Sequence, residues 1–492
     1  MLDARRPFAK VGVVIVATAS FIVLLFSAGR YGFFGDELYF MAAGRRLSFG
    51  YADQGPVVPL IAHAMDVIAP GSLLALRLPS ILLTVAAVVI SAAIAREFGG
   101  GSAGQVLAAG SYALSPFLLL QGNMLTTSAV DTALWVVIDF LLIRWVRTRR
   151  DRLLLWASVV TAVDTEVKWL APILWLAIVG AVAVIGPREL LRRPVLWLGA
   201  AVVAVAVTPT LVWQAHRGWP QAAMTHVISS ERWGLGGPVM YVPWALFLAG
   251  PLGTVLLVYG VWRLLRGESL RPYRFLGPTV PILFVLFAVT GGHVYYAAGL
   301  YAPVMAAGAV EMANRPARWT TIVTAPAVAV AVALIVYLLP WQPASRIRLP
   351  TNTVEATLKL AVLSQFGWPE LTTATVTAYR QLSPTEQHDA VIVTAVYWQA
   401  SALDHFGRHE LPPVYSPQRG FGYFGAPPDS AGVILYVGGD ESELRSTFTT
   451  VTPVGRIDTR LGFIGTTRNV TIWKCRGMPR PWSQLWPHLM TL

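Results

Sequence analysis

The chain has one cysteine, Cys475, and few charges. A lone cysteine cannot close an intramolecular disulfide or build a Cys/His metal cluster. Charged residues make up 13% of the 492, against roughly 25% in a soluble globular chain, which excludes an ordinary cytosolic enzyme. No strand, glycine loop and helix in succession mark a dinucleotide site. No internal repeat and no low-complexity tract stands out. What is abundant is apolar: hydrophobic residues reach 55%, with 18 Trp, 16 Tyr and 20 Phe. So much apolar surface excludes a disordered chain.

The net charge of +12 is unevenly spread. Residues 1–340 carry 25 Lys/Arg against 15 Asp/Glu, whereas residues 341–492 carry 13 against 11. The basic residues fall in short loops between apolar runs rather than on one solvated face, so the pattern is that of membrane topology and not of a nucleic-acid partner. A helix needs about 20 apolar residues to cross the hydrocarbon core, because lipid offers no partner for backbone N–H and C=O groups. Such runs lie at Val11 to Gly29, Pro79 to Ala95, Gln105 to Leu120, Asp131 to Trp145, Leu153 to Gly186, Val195 to Trp213, Tyr241 to Trp262, Phe275 to Gly291, Tyr296 to Met312 and Thr320 to Leu339. The first follows Arg5, Arg6 and Lys10 but has no clear small-residue cleavage site, so it reads as a span and not as a signal peptide.

The run from Leu153 to Gly186 is 34 residues long and has arginine clusters on both sides. Both clusters belong in the cytoplasm under the positive-inside rule, so the chain must cross twice between them, with a reversal near Asp164 to Lys168 on the outer side. The expected fold is therefore a polytopic α-helical membrane protein of about eleven transmembrane helices in the cytoplasmic membrane. Its N-terminus lies in the cytoplasm, and 18 of the 25 basic residues before Pro340 fall in cytoplasmic segments. Residues 1–340 form the membrane domain, with a long first outer loop at 30–78 and another near Gln214 to Met240. Residues 341–492 are more charged and contain strand-like runs at Ala390 to Val396 and Gly432 to Val437, with strand then helix over Asp389 to Gly407. They read as a small α/β extracytoplasmic domain.

Carboxylates collect on the outer side: Asp36 and Glu37 after the first span, Asp53 in the same loop, Asp131 opening the fourth span, and Asp164 with Glu166 in the reversal. Ionised groups at a membrane boundary are costly unless they line water or do work. Any one of these acids alone reads as a solvated loop charge or a helix cap. The adjacent pair Asp36 and Glu37, set among aromatics, reads as functional. If the helices bundle, the acids converge on one outward-facing cavity.

That pair stands in Tyr31-Gly32-Phe33-Phe34-Gly35-Asp36-Glu37-Leu38-Tyr39-Phe40, followed by Gly50-Tyr51-Ala52-Asp53-Gln54-Gly55-Pro56. The combination resembles the first outer loop of the GT-C membrane glycosyltransferases of the protein O-mannosyltransferase and lipid A aminoarabinose transferase type. Further likenesses follow in order along the chain: Leu76-Arg77-Leu78-Pro79-Ser80, Met124 to Asp131, Lys168 in the reversal, Trp213 to Pro220, His293 to Tyr296, Tyr301 to Pro303, and in the tail Tyr397 to Gly407 and Leu411 to Ser416.

The resemblance implies transfer of a sugar from a polyprenyl-phosphate-linked donor to an acceptor hydroxyl at the outer face of the membrane. The acceptor would be a lipid, a polysaccharide or a protein. It also implies that Asp36 is the general base, with Glu37 positioning it or binding acceptor. Asp53 or Asp131 would stabilise the oxocarbenium-like state. The leaving phosphate calls for cations or donors, for which Lys168, Arg77, Arg217 and His293 are candidates. Gln54 stands where the aminoarabinose transferase carries a lysine, and His293 stands near Tyr295 and Tyr296 where related sequences often have one. The carboxylates with His216, His226 and His293 offer ligands for a divalent metal, yet no spacing compels one and no obligatory cofactor is expected. A transporter or flippase for a polyprenyl-linked sugar is the alternative. It would place polar sites at mid-depth with internal symmetry, and a non-catalytic assembly factor is a third reading.

Overall fold

The computed structural model describes residues 6–233 and 236–492, apart from the side chains of residues 231–233 and 353. The first half is helical: α1 (Lys10–Ala28), α2 (Gly35–Gly44), α3 (Val57–Ile68), α4 (Leu73–Glu97), α5 (Ser102–Ala113), α6 (Pro116–Gly122), α7 (Thr127–Thr148), α8 (Arg152–Thr165) and α9 (Ala171–Ile185). It continues through the short α10 (Glu189–Arg192), then α11 (Pro194–His216), α12 (Pro220–Trp233), α13 (Tyr241–Arg266), α14 (Leu276–Thr290), α15 (Tyr301–Ala313) and α16 (Ala317–Leu338).

Every apolar run found in the sequence corresponds to a helix or a helix pair. The 34-residue run is divided between α8 and α9, with Glu166 to Leu170 forming the reversal. Among the described residues, six helices are long and apolar enough to cross a membrane, and a seventh crossing is available if the bent pair α5 and α6, set at 64°, counts as one span. The expected eleven also included α7, which carries Asp131 and Asp139, and the shorter α8, α9 and α15.

Small residues set the closest helix packing. A Cβ on Gly260 of α13 would lie 2.1 Å from the Val304 carbonyl oxygen, and one on Gly308 of α15 would lie 2.2 Å from that of Leu256. The two backbones touch because neither position has a side chain, the contact that holds helices together where lipid removes any hydrophobic drive. Trp135, Trp145 and Tyr301 fill the spaces between helices and are completely buried.

Residues 341–492 contain α17 (Thr353–Leu363), α18 (Trp368–Arg380), α19 (Pro384–Asp389), α20 (Tyr397–Phe406), α21 (Glu441–Thr447) and α22 (Trp482–Leu489). They surround a five-stranded sheet of β1 (Ala390–Thr394), β2 (Val414–Tyr415), β3 (Val433–Val437), β4 (Thr450–Ile457) and β5 (Val470–Arg476). The strand order is β2-β1-β3-β5-β4. β1 is parallel to β2 and β3, while β5 is antiparallel to β3 and β4. The buried run Ala390–Thr394 has the unbroken apolar character of a parallel strand covered on both faces.

The sheet domain is fastened to the membrane-proximal loops. Helix α2 packs against α20. Arg46 donates to Asp404 at 2.6 Å, and Arg45 reaches both Asp404 and Asp66. Phe33 contacts the rings of His405 and Phe406.

Candidate active site

Helix α2 begins at Phe34, so Asp36 and Glu37 lie in its first turn, where the N-terminal dipole favours negative charge. The two neighbours point into different surroundings. Glu37 is wholly buried, and its carboxylate accepts from Arg77 Nε at 2.8 Å and Nη2 at 2.7 Å, from the backbone of Phe34 at 2.8 Å and from that of Leu125 at 2.9 Å. Arg77 is equally buried and also donates to Ala28 O, Gly32 O and Gln365 Oε1. This bidentate pair, with further hydrogen bonds to both partners, is the arrangement a buried ion pair requires. It knots together the end of α1, the start of α2, α4, the segment before α7, and α17. The sequence leaves Glu37 either to position Asp36 or to bind acceptor, and offers Arg77 as a donor to the leaving phosphate; here the two are buried against each other, an arrangement that suits positioning of Asp36.

Asp36 is only partly buried. Its Oδ1 accepts from Tyr397 Oη at 2.6 Å and from Trp398 Nε1 at 2.7 Å, both at the start of α20. Trp398 lies flat against Gly35, where a Cβ would come within 2.3 Å of the ring, so only glycine admits this approach. The second oxygen, Oδ2, receives no hydrogen bond among the described residues.

Asp53 is brought to the same place by the folding of the loop between α2 and α3 onto the α8–α9 reversal. Val57 N donates to Glu166 O at 3.2 Å, Thr210 Oγ1 bridges Glu166 Oε2 and Phe49 O, and Gln214 Nε2 donates to Tyr51 O at 2.8 Å. Tyr39 Oη donates to Asp53 Oδ1 at 2.9 Å. Burial pushes the Asp53 carboxyl up to about 6, against the lowering effects of the Tyr39 hydrogen bond and the nearby Arg419, while the charge of Asp36 adds to the rise. Burial, with Asp53 and Asp36 beside them, also holds the Tyr39 and Tyr397 phenols well above their ordinary range, so both remain hydrogen-bond donors.

A cavity of about 500 Å³ is lined by the polar groups of Asp53, Lys168, Tyr296, Gln221 and Thr225, and its remaining wall is largely apolar, with Leu170 before α9 and Ile173, Ile228 and Leu286 from α9, α12 and α14. Lys168 Nζ lies 4.3 Å from the centre of the Tyr296 ring and 5.6 Å from that of Tyr295, a cation–π geometry. Burial lowers the Lys168 ammonium from its ordinary value, and Asp131, Asp53 and Asp36 oppose that shift. His293 stacks on Tyr295 at 5.0 Å, and Tyr295 in turn on Phe117 at 5.1 Å. Behind Lys168, Asp131 and Asp164 face each other beside Trp135, and no well-formed hydrogen bond satisfies the two oxygens of Asp164.

The structure therefore brings Asp36, Asp53, Asp131, Lys168, His293, Tyr295 and Tyr296 into one neighbourhood. Gln54 is buried with both side-chain amide atoms unpartnered by protein. Arg217 is elsewhere: its guanidinium stacks on Trp213 at 4.4 Å and lines a separate pocket of about 260 Å³ with Arg46, Tyr51 and Tyr423. Among the described residues, no three His, Cys, Asp or Glu side chains are placed to hold a metal ion.

Three residues of the sheet domain were given no role by the sequence, although Tyr397 and Trp398 open the tail segment that carries a family likeness: Tyr397, Trp398 and Arg419. Arg419 has φ of +49°, and its backbone N–H is held by Thr491 O at 2.6 Å. Its guanidinium lies 5.5 Å from the Tyr397 ring centre, beside Met224 of the cavity wall and close enough to Asp53 to act on its charge. The only available signal was the aromatic pair itself at 397–398.

The sequence profile of a family described as dolichyl-phosphate-mannose-protein mannosyltransferase matches residues 53–213. That segment contains Asp53, Gln54, Arg77, Asp131 and Lys168 but begins after Asp36. No curated protein sequence matches the chain. Among solved structures, ArnT from Cupriavidus metallidurans bound to undecaprenyl phosphate is 17% identical with a TM-score of 0.62, covering 94% of this chain and 97% of that one. The Archaeoglobus fulgidus oligosaccharyltransferase in complex with Zn and sulfate is 14% identical with a TM-score of 0.50, covering 86% and 67%. The mycobacterial arabinofuranosyltransferase AftD is 13% identical with a TM-score of 0.52, covering 98% of this chain and 42% of its own. At such identities the likeness is one of fold. In fold over nearly its whole length, and in sequence over residues 53–213, the chain resembles the GT-C glycosyltransferases of the protein O-mannosyltransferase and ArnT type.

Proposed function

We propose that the protein is an integral membrane glycosyltransferase that moves a sugar from a polyprenyl-phosphate carrier to an acceptor hydroxyl at the outer face of the cytoplasmic membrane. The observation that carries this reading is the cavity at Lys168, which joins a cation and a carboxylate at one end to an apolar wall of membrane helices. An isoprenoid chain fits the apolar part and a phosphosugar the polar end. ArnT with bound undecaprenyl phosphate and the matched mannosyltransferase profile support the same ligand class.

In this reading the acceptor oxygen attacks the anomeric carbon as the bond from that carbon to the phosphate oxygen breaks. The phosphate leaves with the bonding electrons, and the acceptor proton passes to Asp36 Oδ2. Tyr397 and Trp398 occupy Oδ1 and so aim the other oxygen. Lys168 balances the charge developing on the phosphate, and Tyr296 holds the lysine in place. Asp53 faces the positive charge that builds on the sugar. Glu37 and Arg77 act at one remove, by fixing the turn that carries Asp36.

The same reading completes the topology. Eleven crossings arise if α5 with α6 counts as one and α7, α8, α9 and α15 are added to the six long apolar helices. Asp36, Asp53, Lys168 and His293 then share one end with residues 341–492. The pairs Arg147 with Glu97 and Arg263 with Glu311 share the opposite, cytoplasmic end.

The test is transfer by the purified full chain in lipid nanodiscs, offered radiolabelled polyprenyl-phosphate sugars and membrane acceptors. A labelled product with one donor is expected. Absence of both transfer and polyprenyl-phosphate binding across the panel would overturn the reading.

A further inference from the structure

A second cavity lies on the other flank of the molecule, where the last membrane helix hands over to the outer domain. Helix α16 is the least buried of the long apolar helices, with 11% of its apolar window covered, so most of its surface faces lipid. At its C-terminal end Tyr337 helps to wall a cavity of about 290 Å³, together with Tyr31, Arg346, Arg348, Glu355 and Lys359.

The backbone of this cavity is held from two sides. Arg460 donates to Ala344 O and to Ile347 O, and Lys359 Nζ donates to Arg348 O at 3.0 Å. Tyr31 Oη donates to Gln342 O at 2.8 Å, closing the third side. The one carboxylate present, Glu355, is already answered by Lys359 at 2.7 Å and by the backbone and hydroxyl of Thr351. Neither Arg346 nor Arg348 has a carboxylate partner among the described residues. The cavity therefore carries two uncompensated guanidinium groups on fixed backbone, beside two tyrosines, at the end of a lipid-facing helix.

Cations at this boundary run against the usual charge bias, which keeps Lys and Arg on the cytoplasmic side of a span. Guanidinium forks match phosphate oxygens in a way that water alone does not require. Tyrosine is the side chain that sits at headgroup level. A free anion would make no use of the apolar side that Leu339, Ile347 and Val362 give the cavity next to the end of α16. We propose that this cavity binds the phosphate headgroup of an anionic outer-leaflet lipid, with Arg346 and Arg348 as its ligands. The assignment rests on the membrane reading of α16 and not on the transfer reaction.

The experiment reconstitutes the full chain in nanodiscs of mixed phosphatidylglycerol and phosphatidylcholine, extracts it in detergent, and counts retained lipids by native mass spectrometry. Wild-type protein retains phosphatidylglycerol in preference to phosphatidylcholine. The double variant R346Q/R348Q loses affinity for phosphatidylglycerol roughly 25-fold, about fivefold per arginine, whereas R456Q, remote in the sheet domain, changes nothing. Single R346Q and R348Q variants give the intermediate step if the double variant is unstable. Equal retention by wild type and variants would overturn the proposal. So would inorganic phosphate binding at Arg346 and Arg348 as tightly as the lipid does, since the ligand would then be a free anion.

Discussion

Tyr397 and Asp36 are 361 residues apart in the chain, and their hydroxyl and carboxylate oxygens are 2.6 Å apart. Trp398 donates to the same oxygen at 2.7 Å. The sheet domain thus aims the carboxylate that, in the proposed reaction, faces the acceptor. Replacing Tyr397 by Phe, or Trp398 by Phe, removes one charge-assisted hydrogen bond worth about 1.5–3 kcal/mol. Each change is expected to lower kcat by about tenfold or more while leaving the KM for the lipid donor near the wild-type value. A rise in donor KM with unchanged kcat would place these residues in donor binding instead.

Glu37 stands next to Asp36 and behaves differently. Glu37→Gln leaves Arg77 charged and buried without its counter-charge, and breaking such a pair costs about 3–5 kcal/mol. The expected outcome is a large loss of thermal stability and of folded yield. Asp36→Asn, on a partly exposed side chain, should melt within a few degrees of wild type. Equal melting temperatures for the two variants would contradict the division of roles.

For Asp53 the prediction concerns pH. Its carboxyl is raised to about 6 in the folded protein, chiefly by burial, from an ordinary value of 3.8. Between these values the unfolded chain has already lost the proton that the folded chain keeps, so stability falls as pH rises through this window. Asp53→Asn removes that penalty. It should raise stability at pH 7.5 by about 2–3 kcal/mol, converting the displacement at 1.36 kcal/mol per pH step, and give little gain at pH 4. The same variant should lose activity, the trade expected when a strained charge serves function. Denaturant unfolding at the two pH values measures the first part.

Lys168→Met keeps the apolar stem and removes the charge. Loss of the phosphate's cation is expected to weaken polyprenyl-phosphate binding by about ten- to a hundredfold, with Lys168→Arg retaining part of it. Titration with the lipid phosphate in nanodiscs reads this directly.

Hydropathy located the helices because lipid permits nothing else, and the reversal was legible because arginine clusters flank the 34-residue run on both sides and belong on one side of the membrane. The convergence of Asp36, Asp53 and Lys168 followed from their shared topological side. The Glu37–Arg77 pair did not follow, since a carboxylate beside a catalytic one looks the same in sequence whether it faces a cavity or a guanidinium 40 residues away. Arg217 was drawn toward the site by its outer-loop position, yet stacking on Trp213 keeps it in another pocket. Tyr397, Trp398 and Arg419 were out of reach for a different reason. Their role depends on how the sheet domain docks on α2, and docking is set by tertiary contacts such as Arg46 with Asp404 rather than by any local pattern.

The most direct measurement compares Asp36→Asn with wild type in the same nanodiscs, reading both binding of the lipid donor and single-turnover transfer. The account predicts donor affinity within about twofold of wild type and transfer reduced by at least ~10²-fold, the scale of a lost general base. Near-normal turnover in the variant would contradict it.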